Sequence, residues 1–246
     1  MLPALSFLDA ACNFPRATLD DLLGEGGAVV VAPHPDDESL GCGALIAAAR
    51  AEERPVKVVV LSDGTGSHPG SIKYPREQLR QLREREVRKA VSVLGVRAAD
   101  LNCLNLPDRH LPRSGIEAES AAGAIAEQLR KAEAHALFAT WRHDPHTDHQ
   151  AAYDIARKAA DLVRGVRLFE YAIWGRDLSP ETMVAEVPRG WRFDGSSLVE
   201  RKQAAIACHR SQVTNLIDDD PEGSCLSPAM LARFAGKEEI FFEIDR

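Results

Sequence analysis

The chain has 246 residues, of which 45% are hydrophobic and 27% charged, with a formal net charge of −7 and a pI near 5.6. That length and composition fit one globular domain and exclude a disordered or fibrous chain. The acidic balance excludes the basic footprint of a nucleic-acid-binding or anionic-membrane-binding protein.

Residues 1–25 read as a leader helix and a connection; the first sixteen lack a basic n-region and carry Asp9, so no secretory signal is expected. The first β-branched run, 28–32, and the second, 56–61, are the longest apolar stretches, far too short to cross a bilayer. Between them an Ala/Leu-rich stretch over about 40–52 predicts a helix. The charged stretch 77–94 carries Leu79, Leu82, Val87, Ala90, Val91 and Leu94 mostly three and four apart, with Gly95 as a stop, which predicts an amphipathic helix. A third strand over 101–106 runs into Pro107-Asp108, followed by a helix over 116–133, a strand over 136–141, a loop over 142–148 and a helix over about 149–163. The fifth strand is expected over 167–174.

Strand alternating with helix implies βαβ units and a largely parallel sheet. The expected architecture is α/β and Rossmann-like, the sheet sandwiched by helices. One domain spans 1–246, with a core over about 27–175 and a less regular C-terminal extension over about 176–246. In that extension 182–187 and 191–193 predict short strands, 197–211 a helix, 218–228 a loop and 239–244 an edge strand. Cys12, Cys42, Cys103, Cys208 and Cys225 are scattered, odd in number and never in a C-x-x-C pair, so reduced thiols and a cytoplasmic location are expected. Self-association is left open.

The densest chemical signal is Pro33-His34-Pro35-Asp36-Asp37-Glu38, at the C-terminal end of the first strand, where open α/β sheets place their ligands. His34 precedes a proline and Pro35 has a fixed φ, so the turn is stiff. An imidazole and a carboxylate three residues apart in such a turn suit a cation such as zinc, with the neighbouring carboxylate free to act as a base. The same acids also suit a plain helix start, where they meet the helix dipole.

The second signal is Arg142-His143-Asp144-Pro145-His146-Thr147-Asp148-His149, after the fourth strand. His146 and His149 share a helix face, one available to metal and the other to substrate. A polar loop capped by Thr147 or Asp148 is the plainer alternative. In a 3-2-1-4-5 strand order, strands 1 and 4 are neighbours, and the two clusters converge at the switch point. Gly41-Cys42-Gly43 and Gly24-Glu25-Gly26-Gly27 do not form a dinucleotide-binding fingerprint, and Ser62 is no nucleophile elbow. Cys42 reads as a small buried helix residue. His68, His110, His135 and His209 have no second ligand nearby in sequence.

Pro-His-Pro-Asp-Asp-Glu followed at a distance by Asp-Pro-His-x-Asp-His resembles the PIG-L/LmbE family of zinc-dependent de-N-acetylases. Supporting the likeness over roughly 27–175 are Leu61-Ser62-Asp63-Gly64, Arg83-Glu84-Arg85-Glu86 and Leu106-Pro107-Asp108. The resemblance implies that His34, Asp37 and His149 bind Zn2+ or another divalent transition metal, that Asp36 is the general base, and that protonated His146 polarises the carbonyl. Asp148 would tune His146 by a carboxylate–histidine contact, and Arg83 and Asp108 match positions facing sugar hydroxyls. Thr147 replaces the usual second proline and Arg109 the usual glycine, so Arg109 and His110 stand where the substrate entrance would be shaped.

The implied activity removes an acetyl group from an N-acetylated amine, most of all a small N-acetylglucosamine-type sugar or conjugate. Alternatives are an amidase acting on a thiol or antibiotic conjugate, and a non-catalytic nucleotide-binding or interaction module with a degenerate metal site. Intact His34, Asp36, Asp37, His146 and His149 argue against the last.

Overall fold

The Gly-Ala-Val-Val-Val-Ala run forms strand β1 (Gly27–Ala32), and all six residues are buried. A continuous apolar run is what a parallel strand covered on both faces requires. Ala28, Val30 and Ala32 point into one core cluster, Val29 and Val31 into another. The computed structural model describes residues 2–184 and 188–244.

Flanking β1 are β2 (Val56–Ser62), β3 (Leu101–Leu106), β4 (Ala134–Thr140) and β5 (Arg167–Tyr171). They lie parallel in the order β3-β2-β1-β4-β5, the predicted order. Helices α1 (Asp37–Ala51) and α2 (Arg76–Val93) pack on one face through Leu45, Ile46, Val87 and Val91. On the other face α3 (Ile116–Lys131) and α4 (Thr147–Asp161) pack through Ile125, Leu129 and Ile155. The glycines of α1 serve packing: a Cβ on Gly41 would lie 2.1 Å from the Tyr171 ring, whose hydroxyl donates to the Val31 carbonyl at 2.7 Å. No described helix is long and apolar enough to cross a membrane.

The C-terminal extension adds to the same sheet. Strand β6 (Gly190–Asp194) and, after helix α5 (Val199–Ile206), strand β7 (Glu238–Glu243) complete it, and β7 runs antiparallel between β5 and β6. The expected edge strand is therefore internal. Its successive Phe241 and Phe242 fill opposite faces, Phe241 against Phe138 and Phe242 against Phe7 and Trp141, which blurs the alternation an edge strand would show. The edge is instead Arg16–Ala17, parallel to β6. The leader holds two helices, Ala4–Ala11 and Leu19–Leu23, the latter started by a Thr18–Asp21 capping box.

Met183–Val184 pairs with Leu2–Pro3 in a separate ribbon; 185–187, the rest of that predicted strand, lie outside the described residues. The helix expected over 197–211 is broken into α5 and Arg210–Val213, because His209 turns inward between them. The fifth strand stops at Tyr171 rather than 174, since the amides of Ile173 and Trp174 donate to the Asp144 carboxylate at 3.1 and 2.8 Å.

Candidate active site

The chain leaves β1 through His34 and Pro35 and enters α1 at Asp37. The His34 amide donates to Asp37 Oδ2 at 3.0 Å, and the Asp36 amide donates to Glu38 Oε2 at 3.0 Å. Asp36 sits at φ 150°, a conformation costing a non-glycine residue on the order of 1–3 kcal/mol, of the kind that gathers at functional sites.

The neighbouring β4–α4 loop is tied down by the fully buried Asp144, whose carboxylate also accepts the His146 amide at 3.2 Å. His146, rather than Thr147 or Asp148, caps α4: its Nδ1 accepts the Asp148 amide at 3.2 Å. Its proton therefore sits on Nε2. His149, fully buried in the first turn of α4, faces back toward β1.

These loops bring three donors together. His34 Nδ1 lies 3.2 Å from Asp37 Oδ2 and 3.3 Å from His149 Nε2, and His149 Nε2 lies 3.4 Å from Asp37 Oδ2. Bonds of about 2.0–2.1 Å to a tetrahedral ion place its ligands about 3.3 Å apart, so this triangle fits a zinc-sized cation. Two imidazole nitrogens converging on a carboxylate are two lone pairs in want of a cation.

The surroundings orient both rings so that these nitrogens face the Asp37 carboxylate. Nε2 of His34 lies 3.2 Å from both Asp108 Oδ1 and Asp148 Oδ2, which fixes its proton there and leaves Nδ1 free. Nδ1 of His149 lies 3.2 Å from Asp144 Oδ1. Burial alone would lower both histidine pKa values, but the carboxylates around them outweigh it and raise both. Burial would raise Asp37, yet His149 and His34 hold it at about 2. Four buried or half-buried acids thus press positive charge onto this spot.

Asp36 differs from its neighbour. Burial pushes it up to about 6, against the lowering pull of Arg83. Arg83 is itself buried and donates through Nη2 to the Pro35 carbonyl at 2.8 Å and to Asp36 Oδ2 at 3.3 Å, and through Nη1 to Gly64 O at 2.9 Å. The Ser62-Asp63-Gly64 turn is the seat for this guanidinium, since a Cβ on Gly64, at φ 68°, would come 2.9 Å from Arg83 Cδ. His146 is pushed down to about 4, first by burial and then by the charges of His34 and His149. With Nδ1 engaged by the backbone, it is a neutral Nε2–H donor, not the imidazolium expected from sequence.

All of this opens into a cleft of about 490 Å3. His34, Asp36, Asp37, Arg83, Asp108 and His146 line it, whereas His149 and Asp148 stand behind its wall. Asp108 is committed to His34 and to the Gly66 amide at 2.7 Å. The Asp148 carboxylate, expected on His146, turns to His34 and accepts the amides of Arg109 and Leu111 at 2.7 and 3.1 Å. Arg109, at φ 65°, lines the cleft, while His110 is exposed and outside it.

Sequence reasoning gave no role to Asp144, although it stands within the second motif. It also missed the far wall, built by Gln212, Ser224, Cys225 and Leu226, which no local pattern announces. Ser224 reaches it by pairing its amide with the Ser67 carbonyl at 2.7 Å.

The profile of the PIG-L family, GlcNAc-PI de-N-acetylase, matches residues 29–160. A 1D-myo-inositol 2-acetamido-2-deoxy-alpha-D-glucopyranoside deacetylase of Nocardiopsis dassonvillei is 31% identical over 88% of this chain and 90% of its own length. A probable N-acetyl-alpha-D-glucosaminyl L-malate deacetylase 2 of Bacillus subtilis is 31% identical, over 87% and 95%. Among solved structures, N,N'-diacetylchitobiose deacetylase from Pyrococcus horikoshii shares the fold, with a TM-score of 0.69 and 22% identity over 97% of this chain and 92% of that one.

Proposed function

The chain belongs to the PIG-L family, and we propose that it hydrolyses the N-acetyl group of an N-acetylglucosamine-type sugar or conjugate, with zinc held by His34, Asp37 and His149. The observation that carries this is the donor triangle with edges of 3.2–3.4 Å, beside Asp36, a carboxylate outside the triangle that faces the cleft.

When bound, the cation supplies Lewis acidity towards water and the amide carbonyl. Asp36 accepts the proton of the attacking water; burial and the adjacent Asp37 raise its proton affinity to the range a base needs near neutral pH. Arg83 fixes the base from behind, with Nη2 3.3 Å from Oδ2. His146 donates Nε2–H to the carbonyl oxygen as charge develops there. Asp36 then returns its proton to the nitrogen as the C–N bond breaks. Water is consumed, its hydroxyl ending in acetate and its hydrogen on the free amine. A cleft of about 490 Å3 is of the size small-ligand sites take.

The five cysteines are unpaired, which supports a cytoplasmic enzyme. The test is a panel of N-acetylated amino sugars, their inositol and malate conjugates, and thiol conjugates, scored for acetate and amine in parallel with metal content. Equimolar acetate and amine from an amino-sugar substrate is the expected result. Release from a thiol conjugate alone would reassign the substrate, and no release from any would refute the activity.

A further inference from the structure

Two cavities meet back to back beside the donor triangle. Behind the cleft lies a second cavity of about 130 Å3, and among the described residues only Leu40 and Ile173 line both. Leu40 is one helical turn beyond Asp37 on α1, so the two side chains share a face. The Ile173 amide is pinned to Asp144 Oδ2 at 3.1 Å, and the other oxygen of that carboxylate lies 3.2 Å from His149 Nδ1. The partition is thus anchored at each end to a residue of the donor triangle or its support, and both side chains are buried, 1% and 3% exposed.

Two stretches of the cleft lining differ in polarity. Leu40, Ile173 and Trp174 form an apolar side, and Gly66, Ser67, Arg83, Asp108 and Arg109 a polar one. An N-acyl amino sugar has the same polarity, an acyl tail at one end of the scissile amide and a hydroxylated ring at the other. Ring hydroxyls turned towards Leu40 and Ile173 would lose their hydrogen bonds to water without replacement. With the amide over the donors, the acyl tail points at the partition and the ring at the polar side and the opening.

We propose that Leu40 and Ile173 set the acyl-chain length, closing the acyl subsite behind a two-carbon group. The cavity beyond them is bordered by Leu8, Tyr171 and Phe242 and also by charged side chains, among them the Lys202–Glu239 ion pair, and it is room that a longer chain would enter along its apolar lining were the partition trimmed. It holds several methylene groups, each close to the ~30 Å3 share of a water molecule. This rests on the deacetylase reading above.

The test measures kcat/KM of the full-length, zinc-loaded protein on N-acetyl-, N-propionyl-, N-butyryl- and N-hexanoylglucosamine, and calorimetric binding of acetate and butyrate. Wild type should lose roughly 10-fold or more for each added methylene, the discrimination an apolar wall provides. Leu40→Ala and Ile173→Ala should each raise the butyryl-to-acetyl ratio at least 10-fold and tighten butyrate, but not acetate, by a similar factor. Leu40→Val, the mildest change, should raise the propionyl ratio alone. A wild type that takes butyryl as readily as acetyl overturns the proposal without recourse to any variant. So do unchanged ratios in variants that still release acetate. A protein inert to every N-acyl sugar fails the hydrolase reading itself, and butyrate binding then judges the partition separately.

Discussion

Nε2 of His209 lies 3.1 Å from Oε1 of Glu38, joining two fully buried side chains 171 positions apart. The other oxygen of Glu38 holds the Asp36 amide, so the C-terminal segment reaches the strained base through one carboxylate. Burial lowers the His209 pKa, but Glu38 outweighs it and the net shift is upward.

Removing the cation strands a buried carboxylate, so His209→Ala should cost about 3–5 kcal/mol, seen as a lower denaturation midpoint. A histidine whose folded pKa is raised stabilises fully below its unfolded value of about 6.5, and loses that contribution as pH rises through the folded value. The gap in midpoint between wild type and His209→Ala should therefore be widest at acidic pH and narrow as pH rises. A gap that widens with pH would contradict the assignment.

The pH dependence of turnover should show one acidic limb near pH 6, as Asp36 ionises into its base form. Arg83 pulls that value down, so Arg83→Gln should move the limb to higher pH. His146 is already neutral above about pH 4. His146→Ala should therefore lower the rate without displacing the limb, and a displaced limb would make His146 the titrating group.

Asp144→Asn keeps an oxygen for the amides of Ile173 and Trp174 but removes the charge beside His149 Nδ1. Loss of such a supporting carboxylate weakens metal binding by about 10–100-fold. Competition with a chromophoric chelator should show that weakening while the circular dichroism spectrum is unchanged; unaltered affinity would confine Asp144 to tethering the loop.

The five parallel strands were legible because each is a short run between helical patterns, β-branched in β1 and β2 and rich in leucine, alanine or aromatic residues in the other three, and the two motifs because each lies within eight consecutive residues. β7 was misread because Phe241 and Phe242 each find a core, on opposite faces. The partners of the donors were hidden for a different reason. Asp108 and Asp148 meet at one nitrogen of His34 only after three loops converge at the sheet's C-terminal edge. In sequence Asp148 stands two places from His146, and proximity along the chain suggested the wrong imidazole. His209 carried no signal at all, since its partner Glu38 lies at the opposite end of the chain.

The most direct measurement pairs metal content with acetate release in Asp36→Asn and Asp37→Ala. Asp37 Oδ2 is a corner of the donor triangle, whereas Asp36 Oδ2 is held by Arg83 outside it. Asp36→Asn should retain one equivalent of zinc and lose turnover by about 10² or more, the scale of a missing general base. Asp37→Ala should lose the metal and the activity together, as should wild type treated with a chelator. Equal metal loss in both variants, or full acetate release from Asp36→Asn, would contradict the account.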